Sequence, residues 1–222
     1  MNRRAKIILA EVLLLLTLVL ILMLLKVDVD DIGPCGTSVG FSHLNGAISS
    51  RFGWNKFFSL VTNATAILAI LIGAGFAFLG VMELIQRKSL KKVDSLFYAL
   101  AGLYVVMGIV YVLFDKLIIV NYRPILEAGK TFPEPSFPSS HTLLVCVVMG
   151  SAILALGKFI RNKKIRLIVD CVLGFLIVLT AAGRILAGVH WFTDVLGGLL
   201  IGAFLVVLFW AVLDYLKEIR GR

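Results

Sequence analysis

Six stretches of this 222-residue chain stay apolar for longer than a water-soluble core of this size can absorb. They cover residues 7–25, 57–85, 96–114, 142–156, 167–182 and 195–212. A helix needs about 20 mostly apolar residues to cross a bilayer, and residues 159–160 and 183–189 can extend the two shorter runs. Composition agrees, with 60% apolar residues, 16% charged residues and a mean hydropathy of +1.01. Disordered, collagen-like and disulfide-stapled chains are excluded, and no ten-residue alternation suggests a membrane β-barrel. The expected fold is all-α: a polytopic membrane protein forming a single domain over 1–222. Its six transmembrane helices would form one bundle, spanning about 7–25, 57–85, 96–116, 141–160, 166–186 and 193–213. The first run resembles a signal peptide, but it is long and lacks an Ala-x-Ala site, so it reads as an uncleaved helix.

The chain carries 22 Lys and Arg against 13 Asp and Glu, a formal net charge of +9. In a soluble protein that excess would suggest nucleic acid. Here the basic residues sort by loop instead. Arg3, Arg4, Lys6, Arg87, Lys88, Lys91, Lys92, Lys158, Arg161, Lys163, Lys164, Arg166, Lys217, Arg220 and Arg222 all fall on one side of a six-helix topology. The positive-inside rule makes that side cytoplasmic, with both termini inside and no nucleic-acid partner expected. The other side is neutral, and three segments face it: 26–56, 116–141 and 184–194. Cysteine offers no framework: Cys35 is external, while Cys146 and Cys171 lie within helices and read as buried thiols. Asn63-Ala-Thr65 matches a glycosylation acceptor but lies inside a helix and is set aside. His43, the third histidine, reads as a surface residue or a headgroup contact.

Ionisable residues at membrane depth cost at least about 2.5–3.5 kcal/mol each on insertion scales, so each needs a partner or a role. Lys116, Arg123, Ser139, His141, Arg184, His190 and Asp194 converge at helix ends on the neutral side. If the third helix continues, two turns place Lys116 and Arg123 on one face before Pro124 ends it. Alone, Lys116 reads equally as a snorkelling anchor. Ser139 and Ser140 precede the fourth helix as candidate caps, and free N–H groups there favour an anion. His190 and Asp194, four apart, can share a helical face, where a carboxylate would fix the imidazole tautomer. Read separately, Asp194 is a helix cap and His190 an interfacial histidine. Together, three cations, a helix N-terminus, two histidines and a carboxylate supply what phosphoryl transfer needs.

At these residues the sequence resembles the type 2 phosphatidic acid phosphatase (PAP2) superfamily of lipid phosphate phosphatases. The family motifs are Lys-x6-Arg-Pro, Pro-Ser-x-His and Ser-Arg-x5-His-x3-Asp. The chain has Lys116…Arg123-Pro124, Pro138-Ser139-Ser140-His141 and Gly183-Arg184…His190…Asp194. Two positions depart from the pattern: Ser140 replaces the usual glycine, and Gly183 the usual serine.

The resemblance implies that Lys116, Arg123 and Arg184, with the Ser139–Ser140 backbone, bind the phosphoryl group. It implies that His190 attacks to form a phosphohistidine, that Asp194 stabilises the imidazolium, and that His141 protonates the leaving group. No metal or cofactor is implied. The expected substrate is a membrane lipid phosphate or pyrophosphate at the outer leaflet of a bacterial inner membrane, with undecaprenyl pyrophosphate favoured. Phosphatidylglycerol phosphate, phosphatidic acid and phosphate transfer to another acceptor stay open. A rival of another class is a non-enzymatic anion transporter or lipid-binding protein, which would usually show repeats and broken helices. A haloperoxidase is disfavoured by the membrane character of the chain.

Overall fold

A computed structural model of the chain describes residues 1–126 and 129–220; Glu127, Arg222 and the side chain of Arg220 lie outside the description. Seven helices are described: α1 (Arg3–Leu24), α2 (Ser42–Ser49), α3 (Lys56–Arg87), α4 (Ser95–Val112), α5 (Ser140–Leu156), α6 (Lys163–Leu186) and α7 (Phe192–Arg220). Helices α1, α3, α4 with its extension to Leu117, α6 and α7 are long and apolar enough to cross a bilayer. Local chemistry starts several of them. Asn2, Asn55, Asp94 and Asn162 each accept backbone N–H bonds in the first turn of the helix that follows.

Helix α5 is the shorter apolar one, and it occupies the centre. Its 17 residues reach only about 26 Å at the usual rise. It ends at Leu156 rather than continuing to residue 160, because Lys158, Phe159 and Ile160 close turns back onto residues 155 and 156. The surrounding helices α3, α4, α6 and α7 all pack against it. Leu143, Val145, Val147, Met149 and Ala152 are buried on every side, the pattern of a helix sheathed by protein instead of lipid. The core continues into Leu100 and Leu103 of α4 and Ile201, Leu205 and Phe209 of α7.

Helix α7 runs past residue 213 to Arg220 because its last turns have partners on α1. Lys6, only 3% exposed, bonds Asp214 at 2.6 Å and stacks over the Trp210 ring, while Arg3 pairs with Glu218. The chain therefore begins and ends at one pole of the bundle, beside the Lys158–Asp94 ion pair. Cys171 is exposed on α6, contrary to the buried thiol expected there, whereas Cys146 is buried against α7.

Glycine sets the distance between α5 and α7. A Cβ on Gly202 would lie 2.7 Å from Cys146 Sγ and 2.8 Å from its Cβ, so the α7 backbone rests directly on the Cys146 side chain of α5. Gly202→Ala is expected to force them apart and cost about 1–3 kcal/mol, the usual range for overpacking. Gly174→Ala on α6 meets nothing within 4 Å and should be neutral or stabilising by up to about 1 kcal/mol through helix propensity. Thermal unfolding midpoints of the two variants in detergent check the contrast.

Candidate active site

The opposite pole gathers the three motifs, and it does so through backbone bonds between loops. Helix α4 ends in a π-helical turn over Leu113–Leu117, closed by Ile118 N–H donating to the Leu113 carbonyl at 2.8 Å. Beyond it the helix does not continue to Arg123 as the spacing suggested. The β-branched run Ile118-Ile119-Val120 leads out of the helix into non-helical backbone. Tyr122 then forms an isolated antiparallel bridge with Pro135. Arg123 N–H donates to the Glu134 carbonyl and Ser136 N–H to the Asn121 carbonyl, both at 2.9 Å.

This pairing separates the two cations expected together. Arg123 lines a small polar cavity of about 50 Å³ with Ser140 and His190. Lys116 stays outside that lining, 72% exposed and paired with Asp115 at 2.7 Å. Glu134 stands at the cavity edge, 3.6 Å from Arg123 and 3.0 Å from Lys130. Lys130, and then Arg123, hold its carboxyl below the usual range despite partial desolvation.

Asp194 is the hub. Its side chain is wholly buried, with Oδ1 accepting from Asn121 Nδ2 at 3.0 Å and Oδ2 from Trp191 N–H at 3.0 Å. The second bond reaches back across the first turn of α7, so the residue does cap that helix. Oδ2 also lies 3.5 Å from His190 Nδ1, an ion-pair separation longer than a well-formed hydrogen bond. The Asp194 carbonyl accepts from Ser139 N–H at 2.9 Å, which ties the second motif to the third. His190 sits in the α6–α7 loop, 4% exposed, and its Nε2 makes no hydrogen bond among the described residues. Burial pushes its pKa down to about 4; Asp194 opposes that shift, and Arg184 and Arg123 reinforce it.

Ser139, Ser140 and His141 start α5. Ser139 donates its N–H to the Asp194 carbonyl, and its Oγ accepts from Thr142 Oγ1 at 3.0 Å, which leaves the Ser139 O–H to donate elsewhere. The N–H groups of Ser140, His141 and Thr142 have no intrahelical acceptor. Phe137 seats this loop against α7, where a Cβ on Gly197 would lie 2.2 Å from its ring. Arg184, 3% exposed near the end of α6, donates from Nη1 to Thr62 Oγ1 of α3 at 3.3 Å. Arg123, Arg184 and His190 are all near enough to act electrostatically on His141. Six of the seven converging residues thus meet at one pole, and Lys116 stands aside.

A second cavity opens beside the first. It holds about 560 Å³ and is walled by Ile67 and Ile70 of α3, Met107 of α4 and Leu144 of α5. Ser140 lines both cavities, and His141 lines the apolar one. Sequence reasoning missed the polar residues that α3 contributes here, Thr62 and Asn63. Asn63 Oδ1 lies 2.9 Å from His141 Nε2. A cluster of Thr62, Asn63 and Thr65 within an otherwise apolar span was the available signal.

The 26–56 segment braces the same loop from outside. Asn45 of α2, fully buried, donates to Thr193 Oγ1 at 2.9 Å and accepts from Thr193 N–H at 3.3 Å. Gly188 has a positive φ of 66°, and a Cβ there would lie 2.7 Å from the Gly53 carbonyl oxygen, so no larger residue fits this approach. His43 is exposed and pairs with Asp28 at 2.5 Å.

Comparison with known proteins bears on the fold and the family. No curated protein sequence matches the chain. The crystal structure of a transmembrane PAP2-type phosphatidylglycerolphosphate phosphatase from Bacillus subtilis superposes with a TM-score of 0.66 at 20% identity. The match covers 93% of this chain and 96% of that one, so the two share a membrane-embedded helical fold. The PAP2 superfamily model matches residues 92–218, more than half of the sequence and all three motifs. The chain is a multi-pass membrane protein and belongs to the PAP2 superfamily of lipid phosphatases.

Proposed function

We propose that the protein hydrolyses a lipid phosphate or pyrophosphate at the outer membrane leaflet, without a metal, through a phosphohistidine on His190. The observation that carries this reading is the junction of two cavities at Ser140. One is small, polar and lined by Arg123 and His190; the other is apolar and walled by α3, α4 and the start of α5. An amphiphile with a phosphate head and a hydrocarbon tail has that shape.

In the proposed reaction Arg123, Arg184 and the α5 N-terminus hold the phosphoryl oxygens. His190 Nε2 attacks phosphorus while Asp194 stabilises the charge that appears on the ring. The P–O bond to the leaving group breaks, and His141 gives that oxygen a proton. His141 then takes a proton from water, which cleaves the P–N bond and frees phosphate. Lys116 joins the oxyanion set only if its side chain turns away from Asp115. Basic residues gathered at the opposite pole support an orientation with that pole in the cytoplasm.

For the substrate the favoured reading is an isoprenoid pyrophosphate such as undecaprenyl pyrophosphate, whose single hydrocarbon chain would enter the apolar cavity that Ser140 and His141 line. Phosphatidylglycerol phosphate is the second reading, because the Bacillus subtilis protein of similar fold is described as its phosphatase. Kinetics on both lipids decide between them.

Purified protein is expected to release phosphate from such a lipid in EDTA, to be inhibited by vanadate, and to lose all turnover as His190→Ala. Strict Mg²⁺ dependence, or activity surviving in His190→Ala, would contradict the proposal. His141→Ala should lose much of the roughly 10²–10⁴-fold that acid–base catalysis supplies.

The low pKa of His190 has a direct consequence. The nucleophile must be unprotonated, and with its pKa near 4 it is so throughout the neutral range. kcat/KM should therefore hold as pH falls toward 5 and drop only near pH 4, as His190 takes up a proton. An acid limb near the ordinary histidine value would refute the buried, unprotonated nucleophile.

The Gly183 departure is also testable. A Cβ at this position would lie 2.6 Å from Thr62 Cγ2, so the family's usual serine does not fit beside this threonine. Thr62 itself brings a hydroxyl to Arg184. Gly183→Ser alone should lower activity, and Gly183→Ser with Thr62→Ser, which removes the colliding methyl, should restore most of it. Phosphate release by the single and double variants measures this.

A further inference from the structure

The two histidines of the site are backed by different chemistry. His190 has the carboxylate of Asp194 behind it, from its own loop. His141 has the carboxamide of Asn63, brought in by α3 from 78 positions away in sequence. Helix α3 carries none of the three motifs and lies outside the residues matched by the family model. Its adjacent residues Thr62 and Asn63 nevertheless touch one charged or catalytic side chain each, Arg184 and His141.

We propose that Asn63 is a positioning residue for the reaction: its Oδ1 accepts the Nε2–H of His141 and so presents Nδ1 to the leaving oxygen. The inference rests on the acid–base role proposed above for His141. With Oδ1 facing the ring, the proton on that side belongs to Nε2, which is then committed to Asn63. An imidazole has one other nitrogen. In the charged ring both nitrogens carry protons, and only the Nδ1 proton is free to move. When the P–O bond breaks, its electron pair stays on the leaving oxygen and takes the Nδ1 proton. The neutral ring keeps Nε2–H on Asn63, and its Nδ1 lone pair is then placed to accept a proton from water. One amide thus fixes the tautomer in both halves of the cycle.

The choice of amide over carboxylate matters. A carboxylate stabilises the charged ring, which suits His190 when it becomes a phosphoimidazolium. A neutral amide orients the ring without a charge that would hold its proton back, which suits a residue that must give the proton up. An asparagine in a helix as apolar as α3 also calls for a partner for its amide. The bond to His141 supplies one. Because Asn63 lines the apolar groove, the alternative is a direct contact with substrate, and the two roles predict different kinetics.

The test compares Asn63→Ala, Asn63→Asp, His141→Ala and the double variant Asn63→Ala/His141→Ala on the lipid that the wild type turns over. Thermal midpoints show that each is folded. Asn63→Ala should lower kcat roughly 10- to 100-fold, part of the acid–base contribution, with KM nearly unchanged. Asn63→Asp, the same shape with an acceptor retained, should recover only part of that loss, because its charge holds the His141 proton back, and should move the basic limb of the kcat–pH profile to higher pH. In the His141→Ala background, removing Asn63 should cost nothing further. Unchanged kcat in Asn63→Ala, a rise in KM alone, or an additive loss in the double variant would each overturn the positioning role. If Asn63→Ala fails to fold, a folded Asn63→Asp variant whose kcat and pH profile both match the wild type overturns it as well. Activity surviving in His190→Ala would instead refute the phosphohistidine reading, so the two failures are separable.

Discussion

The buried carboxylate of Asp194 is the constraint on which the rest of the site depends. Its two side-chain oxygens and its carbonyl take hydrogen bonds from Asn121, Trp191 and Ser139, which belong to the two inter-helix segments 118–139 and 187–191. A charge this deep is tolerable only when its acceptor sites are used, so each bond is also a requirement on the loop that makes it. The result is a rigid knot at the start of α7. It fixes the His190 loop, the start of α5 and the approach to Arg123 relative to one another. Breaking the Asn121 or Trp191 bond leaves part of the carboxylate unsatisfied, and breaking the Ser139 bond frees the start of α5 from it, so the segments are held as a set.

Around that knot the molecule divides into two chemical environments. Toward Arg123 the surface is polar and confined. Toward Ile67, Ile70 and Met107 it is apolar and open between helices. The N-terminus of α5 lies on the border, so its free N–H groups and His141 can serve a reaction at the head of an amphiphile whose tail never leaves an oily setting. The central position of α5 makes this possible. Sheathed by four helices, it can be shorter than the helices around it.

Much of this was legible in the order of residues. Apolar length marks the spanning segments, and the spacing of Arg184, His190 and Asp194 marks one functional loop. Other features were not legible. The helix expected to carry both Lys116 and Arg123 ends at Leu117, because a π turn closes there and the β-branched run beyond it leaves the helix. Arg123 reaches the site through pairing of Tyr122 with Pro135, a contact that no local pattern announces. The polar residues of α3 were visible but had no assigned partners. Asn45 gave even less signal, since its role exists only where α2 meets α7.

By itself the sequence determined the membrane class, the helical composition and which side chains are proposed to react. These follow from properties that act over a few residues: apolar length, charge per loop and fixed motif spacing. Only the tertiary structure decided which cation enters the polar cavity, what stands behind each histidine, and why Gly183 rather than serine precedes Arg184. Those outcomes depend on atoms brought together from distant segments, such as Thr62 beside Gly183 and Asn63 beside His141. Packing distance, which no linear spacing encodes, sets them.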